Sequence, residues 1–263
     1  MEFLQGINPL YSLSGFVVGF LVGMTGVGGG SLMTPLLILL FNVHPATAVG
    51  TDLLFAAATK TGGTAVHGFS RTIDWRVVGR LATGSVPATA ATILTLSALD
   101  IEGNAASRLI TQVLAIALIL TAAALFGRHF VVKYYASRIG EMEDSKTRNV
   151  TIITGAVLGV IVTLSSVGAG AIGVTVLVLL YPKLPMARII GSDIAHAVPL
   201  TLVAGMGHWW LGSIDWPLLT SLLVGSVPGI LISSALVSRV PDVTLRYVLA
   251  GTLLLVAVRL LFV

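Results

Sequence analysis

The chain contains no cysteine, and only 10% of its residues are charged. The first absence removes disulfides, thiolate metal sites and a cysteine nucleophile, and carries no information about compartment. The second is incompatible with a soluble domain when 56% of 263 residues are hydrophobic. Mean hydropathy is +0.99, and the apolar runs reach membrane-spanning length. There is no HExxH zinc motif and no Gly-x-Ser-Gly with a suitably placed histidine, which argues against an intramembrane enzyme. No catalytic residue, metal or cofactor is therefore expected. The net charge of +4 lies in loops rather than on a soluble module, so nucleic acid is not an expected partner and the lipid bilayer is. Met1-Glu2-Phe3-Leu4-Gln5 lacks a basic leader region, and no cleaved signal peptide is expected.

Between Leu10 and Phe41, 32 residues pass without Asp, Glu, Lys or Arg. One helix of that length would run about 48 Å against a hydrocarbon core of about 30 Å. Gly26-Val27-Gly28-Gly29-Gly30 interrupts it, and each interior glycine costs about 1 kcal/mol relative to alanine. The stretch thus reads as two shorter helices, Leu10–Met24 and Ser31–Phe41, meeting at bare backbone. In lipid such backbone is tolerated only where it faces protein or a water-filled cavity. Gly15, Gly19 and Gly23 form a small-residue stripe on which a second backbone can pack closely, and such stripes permit a homodimer without demanding one. Further helices are predicted over Pro45–Phe69, Trp75–Ala98 (kinked at Gly84-Ser85-Val86-Pro87) and Ser107–Gly127.

The pattern then repeats. Val167-Gly168-Ala169-Gly170 answers Val27-Gly28-Gly29-Gly30, and Pro185 answers Pro45. Gly191-Ser192-Asp193 answers Gly50-Thr51-Asp52, His208 answers His67, Asp215-Trp216 answers Asp74-Trp75, and Gly225-Ser226-Val227-Pro228 answers the kink motif. The chain divides into repeat 1 (1–128), a charged cytoplasmic connector (129–149) and repeat 2 (150–263). Basic residues orient the copies, since cytoplasmic loops carry excess Lys and Arg. If each broken element crosses the membrane once, the two sides hold 9 and 5 basic residues. If it enters and leaves on one side, Arg71, Arg76, Arg80, Arg128, Lys133, Arg138, Lys146, Arg148, Lys183, Arg188, Arg239 and Arg246 share a side, opposite only Arg108 and Arg259. The second arrangement segregates charge far better. The expected fold is an all-α polytopic membrane protein of two inverted-topology repeats with both termini outside. Each repeat has a glycine-broken first helix, re-entrant or paired short crossings, followed by three transmembrane helices.

Such repeats with discontinuous helices are the architecture of secondary transporters, with the site near the midplane between the copies. The helices opening at Ser31 and near Ala171 each present unpaired N–H groups and about +0.5 charge, together about +1. A small anion is expected between Gly28, Gly29, Gly30 and Ser31 on one side and Ser165, Ser166, Gly168 and Gly170 on the other, with Thr25 adding a hydroxyl. Lys60, close to mid-depth, attracts the anion, neutralises Asp52 or Asp193, or snorkels to an interface. Asp52 and Asp193 either cap local backbone or couple transport to protons or cations, and His196, three residues after Asp193, is placed to share a proton with it. His67 and His208 suit helix C-termini, His44 and His129 suit loops, and Asp74 and Asp215 suit helix N-caps beside the interfacial anchors Trp75 and Trp216.

The stretches GMTGVGGGSLMTPLL at 23–37 and HPATAVGTDL at 44–53, with the weaker copy at 167–193, resemble the TauE/SafE sulfite-exporter family within the toluenesulfonate uptake permease group. The resemblance covers nearly the whole chain and implies a multi-pass carrier of the bacterial inner membrane for sulfite, organosulfonates or related sulfur oxyanions. A passive anion channel, or a carrier for another small oxyanion or a carboxylate, stands as the alternative. Ser166 and Ala169 replace glycines in the second copy, so the two half-sites should differ.

Overall fold

In the computed structural model, residues 7–25, 30–99, 104–130, 143–236 and 242–261 are described. Among them are ten helices: α1 (Pro9–Thr25), α2 (Gly30–Phe41), α3 (Pro45–Phe69), α4 (Trp75–Ser97), α5 (Asn104–Phe130), α6 (Asp144–Ser165), α7 (Ala171–Leu180), α8 (Met186–Trp210), α9 (Trp216–Leu236) and α10 (Asp242–Leu261). Four stretches, Trp75–Ser97, Ala105–Gly127, Asp144–Ser165 and Met186–Trp210, are long and apolar enough to cross a membrane.

Local chemistry sets the starts. Pro45 opens α3, where a missing N–H costs nothing. Asp74 caps α4 by accepting the Arg76 and Val77 amides at 3.0 and 3.3 Å, and Asp215 accepts the Leu218 amide at 2.9 Å. Both aspartates are thus the N-caps that their sequence positions imply. All four tryptophans (75, 209, 210 and 216) are exposed, as interfacial anchors are.

Both broken elements double back. The rings of Tyr11, early in α1, and Phe41, ending α2, meet edge-on at 4.9 Å. At the equivalent places in the second copy, the hydroxyls of Thr151 and Tyr181 hydrogen-bond at 2.8 Å. Each half-helix, α2 or α7, therefore returns to the end from which its partner departed.

The strongest packing crosses between the copies. Gly15 and Gly19 of α1 lie on the backbone of Leu222 and Ser226 in α9, while Gly155 and Gly159 of α6 lie on Leu81 and Ser85 in α4. In lipid, dispersion between closely approaching backbones is a main source of helix association. The long helices α3 and α8 run antiparallel: Gly50 faces His208, Leu54 faces Gly205, Ile194 faces Gly63, and His67 faces Gly191. Reciprocal hydrogen bonds tie their ends. The Asp74 amide donates to Ser192 Oγ at 2.8 Å, and the Asp215 amide donates to Thr51 Oγ1 at 3.1 Å.

The glycines of the expected kinks are close packing contacts. Helix α4 is continuous through Gly84, and a Cβ there would collide with the Ile152 carbonyl; Gly225 sits likewise on Ser12. At the connector, α5 continues to Phe130 and takes in His129, read from the sequence as a loop residue. Helix α6 already begins at Asp144, whose carboxylate holds Arg80 Nη2 through two 2.8 Å bonds; residues 131–142 lie outside the described set.

Because overpacking costs about 1–3 kcal/mol, Gly84→Leu should shift the loss of monodisperse protein on heating in detergent to clearly lower temperature. Gly79→Ala on the same helix has open space around it and should leave that temperature unchanged. Equal behaviour of the two variants would refute the cross-copy packing.

Candidate functional site

The second glycine break is built residue by residue. Helix α6 ends where Ser166 turns left-handed at φ +57°, and Gly168 and Gly170 follow at φ +119° and +122°. A side chain is strained at such angles, which is why glycine stands at both. Ser165, expected as an anion donor, is used by the turn: its hydroxyl donates to the Ile161 carbonyl at 2.6 Å and accepts the Val167 amide at 3.2 Å. The amides of Gly168, Ala169, Gly170, Ala171 and Ile172 donate no hydrogen bond among the described residues. Helix α7 thus begins with its first N–H groups bare, carrying the partial positive charge of a helix start.

Of the first break, Gly28 and Gly29 lie outside the described residues. Thr25 closes α1, Gly30 opens α2, and Ser31 is buried on the first turn.

The long helices bring ionisable groups to these tips. Asp52 is fully buried, and its Oδ2 accepts the hydroxyl of Thr34 on α2 at 2.5 Å. It therefore staples a half-helix instead of capping its own backbone. Ser166, from the opposite break, lies beside the same carboxylate; its hydroxyl and Asp52 Oδ1 are both buried and meet no partner at full hydrogen-bond geometry among the described residues. Asp193 is equally buried, and its carboxylate rests on the first turn of α7, where a Cβ on Gly173 would strike it. The Lys60 ammonium donates to the Ala169 carbonyl at 3.5 Å and feels both Asp52 and Asp193. Of its three expected uses, the snorkel to an interface does not describe it, because its head points into the break.

His196 is buried but does not hydrogen-bond Asp193. Its Nε2 pairs with Ser85 Oγ on α4 at 2.9 Å, while Nδ1 has no partner among the described residues. Two histidines are structural. His208 Nε2 donates to the Thr163 carbonyl in the last turn of α6 at 2.9 Å, and His67 Nδ1 pairs with Thr72 Oγ1 at 2.8 Å. Thr34 and Ser85 escaped sequence reasoning. Ser85 had a signal, since it sits in a motif repeated at Ser226, but that motif reads as a kink; Thr34 had only its place one turn beyond Ser31.

The family model described as Sulfite exporter TauE/SafE matches residues 11–260. The chain belongs to the TauE/SafE sulfite exporter family. It is 37% identical over 249 residues to the probable membrane transporter protein YjnA of Bacillus subtilis, covering 94% of this chain and 97% of that one. It is 26% identical over 211 residues to the probable membrane transporter protein YdhB of the same organism, covering 80% of this chain and 82% of that one. The probable membrane transporter protein MJ0441 of Methanocaldococcus jannaschii is 25% identical over 210 residues, 78% of this chain and 73% of that one. No solved structure matches the chain. As a TauE/SafE member with helices of spanning length, the protein is a multi-pass membrane transporter.

The turn geometry carries its own test. Gly170→Ala in this TauE/SafE protein puts a Cβ at φ +122°, a strain of about 1–3 kcal/mol. The variant should unfold at lower temperature in detergent, whereas Ala169→Gly should not; a fully stable Gly170→Ala protein would contradict the turn as described.

Proposed function

We propose that the protein is a secondary transporter of small sulfur-containing anions of the sulfite or organosulfonate type, coupled to protons, working by alternating access around the two glycine breaks. The sulfur chemistry is an extension of the family description; the anion and the coupling are supported by the site's charge. On this reading residues 1–128 and 150–263 are inverted repeats about the 129–149 connector. The antiparallel run of α3 and α8 favours that topology, because single crossings by the broken elements would make those helices parallel. So do the hairpins closed at Tyr11–Phe41 and Thr151–Tyr181.

The observation that carries the proposal is Lys60 reaching the Ala169 carbonyl inside the break, in the field of Asp52 and Asp193. The ionised trio sums to one negative charge. Two converging helix starts contribute about +1 in total, which brings an empty, unprotonated site to roughly neutral. One added proton makes it positive, which favours an anion. Anion and proton then favour each other's binding, as linkage requires. The candidate binding groups are the bare amides of Gly168 and Gly170 with Ser166 on one side, and Gly28, Gly29, Gly30 and Ser31 with Thr25 on the other. Lys60 supplies the fixed charge, Asp52 and Asp193 the protonatable ones, and His196 is the third candidate for proton exchange. Ser165 acts through the turn it closes.

Purified protein in liposomes should take up sulfite, thiosulfate or sulfoacetate, faster with an inward proton gradient, and trapped substrate should accelerate exchange. Apparent affinity should fall as external pH rises, because fewer sites carry the added proton. Asp52→Asn or Asp193→Asn removes one negative charge, so at least one should weaken that pH dependence while keeping exchange. Lys60→Gln should lose roughly tenfold or more in affinity, the scale of one charge-assisted contact. Uptake indifferent to pH and to trapped substrate would sink the coupled carrier in favour of a channel.

A further inference from the structure

A cavity of about 650 Å³ opens at the elbow between α2 and α3, away from the glycine breaks. Asn42 and His44 of the elbow, Ser107, Arg108, Thr111 and Gln112 of α5 supply its polar lining, and among the described residues none that lines it is acidic. The elbow is a built feature. Asn42 holds a left-handed φ of +53°, and the Val43 amide donates to the Leu37 carbonyl at 3.0 Å. The Arg108 side chain is exposed and makes no ion pair or hydrogen bond among the described residues. With Arg259 it is one of two basic residues that charge segregation assigns to its side of the membrane. A guanidinium with no carboxylate partner among the described residues, at the mouth of a hollow, is suited to holding a planar or tetrahedral oxyanion through two parallel N–H donors.

Next in sequence to the cavity lining lies an apolar layer. Ala46 follows the lining residue Pro45, Ile110 follows Arg108 by two positions, and both belong to one buried cluster with Val49, Leu53, Val162 and Ala169. Ala169 is the residue whose carbonyl receives Lys60. The cluster joins Ala46, next to the lining residue Pro45, to Ala169 at the charged centre, with the buried Asp52 between its members Val49 and Leu53 on the same helix. An ion cannot cross such a layer without these side chains parting, since isolated charge is very costly away from water. The residues are small or aliphatic, and helices with small residues at their contacts separate and close again without stranding hydrogen bonds.

We propose that this cavity is an outer waiting site for the transported oxyanion, held on Arg108, and that Ala46, Val49 and Ile110 form the closed barrier between it and the Lys60 centre. The proposal rests on the transport reading above, and its test separates the two. The chain has no cysteine, so Thr111→Cys places a single thiol in the cavity and Ala46→Cys one in the barrier. Sulfoacetate is the probe, because sulfite itself consumes thiol reagents.

A membrane-impermeant thiol reagent should modify Thr111→Cys from one face only, and sulfoacetate should slow it. Adding Arg108→Gln should abolish that protection. Ala46→Cys should react far more slowly, and faster during turnover. In transport, Arg108→Gln should raise the apparent KM roughly tenfold for substrate on that face and leave the other face unchanged, with Arg108→Lys in between. An unchanged KM on that face, or modification of Thr111→Cys indifferent to sulfoacetate, sulfate and phosphate alike, overturns the waiting site while leaving transport intact. Protection by anionic lipid vesicles and by no soluble anion assigns the cavity to headgroups and overturns it too. If the wild-type protein carries no sulfur anion, the transport reading fails on its own, and protection by sulfate or phosphate still decides whether Arg108 holds an oxyanion.

Discussion

Everything in this structure depends on keeping bare backbone away from lipid. A helix broken at membrane depth exposes amides that hydrocarbon cannot satisfy, at several kcal/mol each. The break after Ser165 leaves five consecutive amides, Gly168 to Ile172, without partners among the described residues. The remedy is enclosure. Helix α6 lies glycine-on-backbone against α4, α1 lies the same way against α9, and α5 with α10 covers the tip of the second hairpin at Val167 and Ala171. The glycine stripes and the glycine breaks are therefore parts of one solution. The stripes draw the scaffold tight enough to shelter the breaks.

Within that shelter the two copies are alike in backbone and unlike in chemistry. Asp52 and Asp193 occupy matching places, as do His67 and His208. Lys60, however, matches Thr201, and His196 matches Phe55. The ammonium thus belongs to repeat 1 and the buried imidazole to repeat 2. The difference between the two halves of the sequence thus sits in residues that carry charge.

Much of this was legible in the sequence, and the exceptions have a common cause. Helix α3 begins and ends at the residues read from the sequence, because Pro45 marks one end and the His67-Gly68-Phe69 end precedes a polar turn. The inverted arrangement proposed above rests on where arginines and lysines fall, a signal set by insertion and independent of packing. Asp74 and Asp215 read correctly as caps because capping is local. The misread residues are those whose partners lie elsewhere. Thr34 meets Asp52 across 18 positions and Ser85 meets His196 across 111. The packing role of Gly84 was missed because nothing in its neighbourhood announces that Ile152 will press against it. Ser165 read as a donor because a hydroxyl beside a break looks available until the turn that uses it is built.

The packing also constrains the alternating access proposed above. A natural guess moves repeat 1 against repeat 2. The buried clusters argue otherwise, because each joins parts of both copies. One holds Val18, Met33, Leu37 and Ala48 of the first repeat with Leu218, Leu219 and Leu222 of α9. Its counterpart holds Val174, Leu177, Val178 and Ile189 of the second repeat with Val77 and Leu81 of α4. Separating the repeats as bodies would tear both clusters and break the Thr51–Asp215 and Ser192–Asp74 bonds. The cheaper motion keeps each hairpin with the other copy's helix and slides the two mixed bodies along α3 and α8. That contact is lined by Gly50, Gly63, Gly191 and Gly205. A seam of small residues between antiparallel helices suits a shear of a few ångströms, the scale on which packed helices slide without repacking.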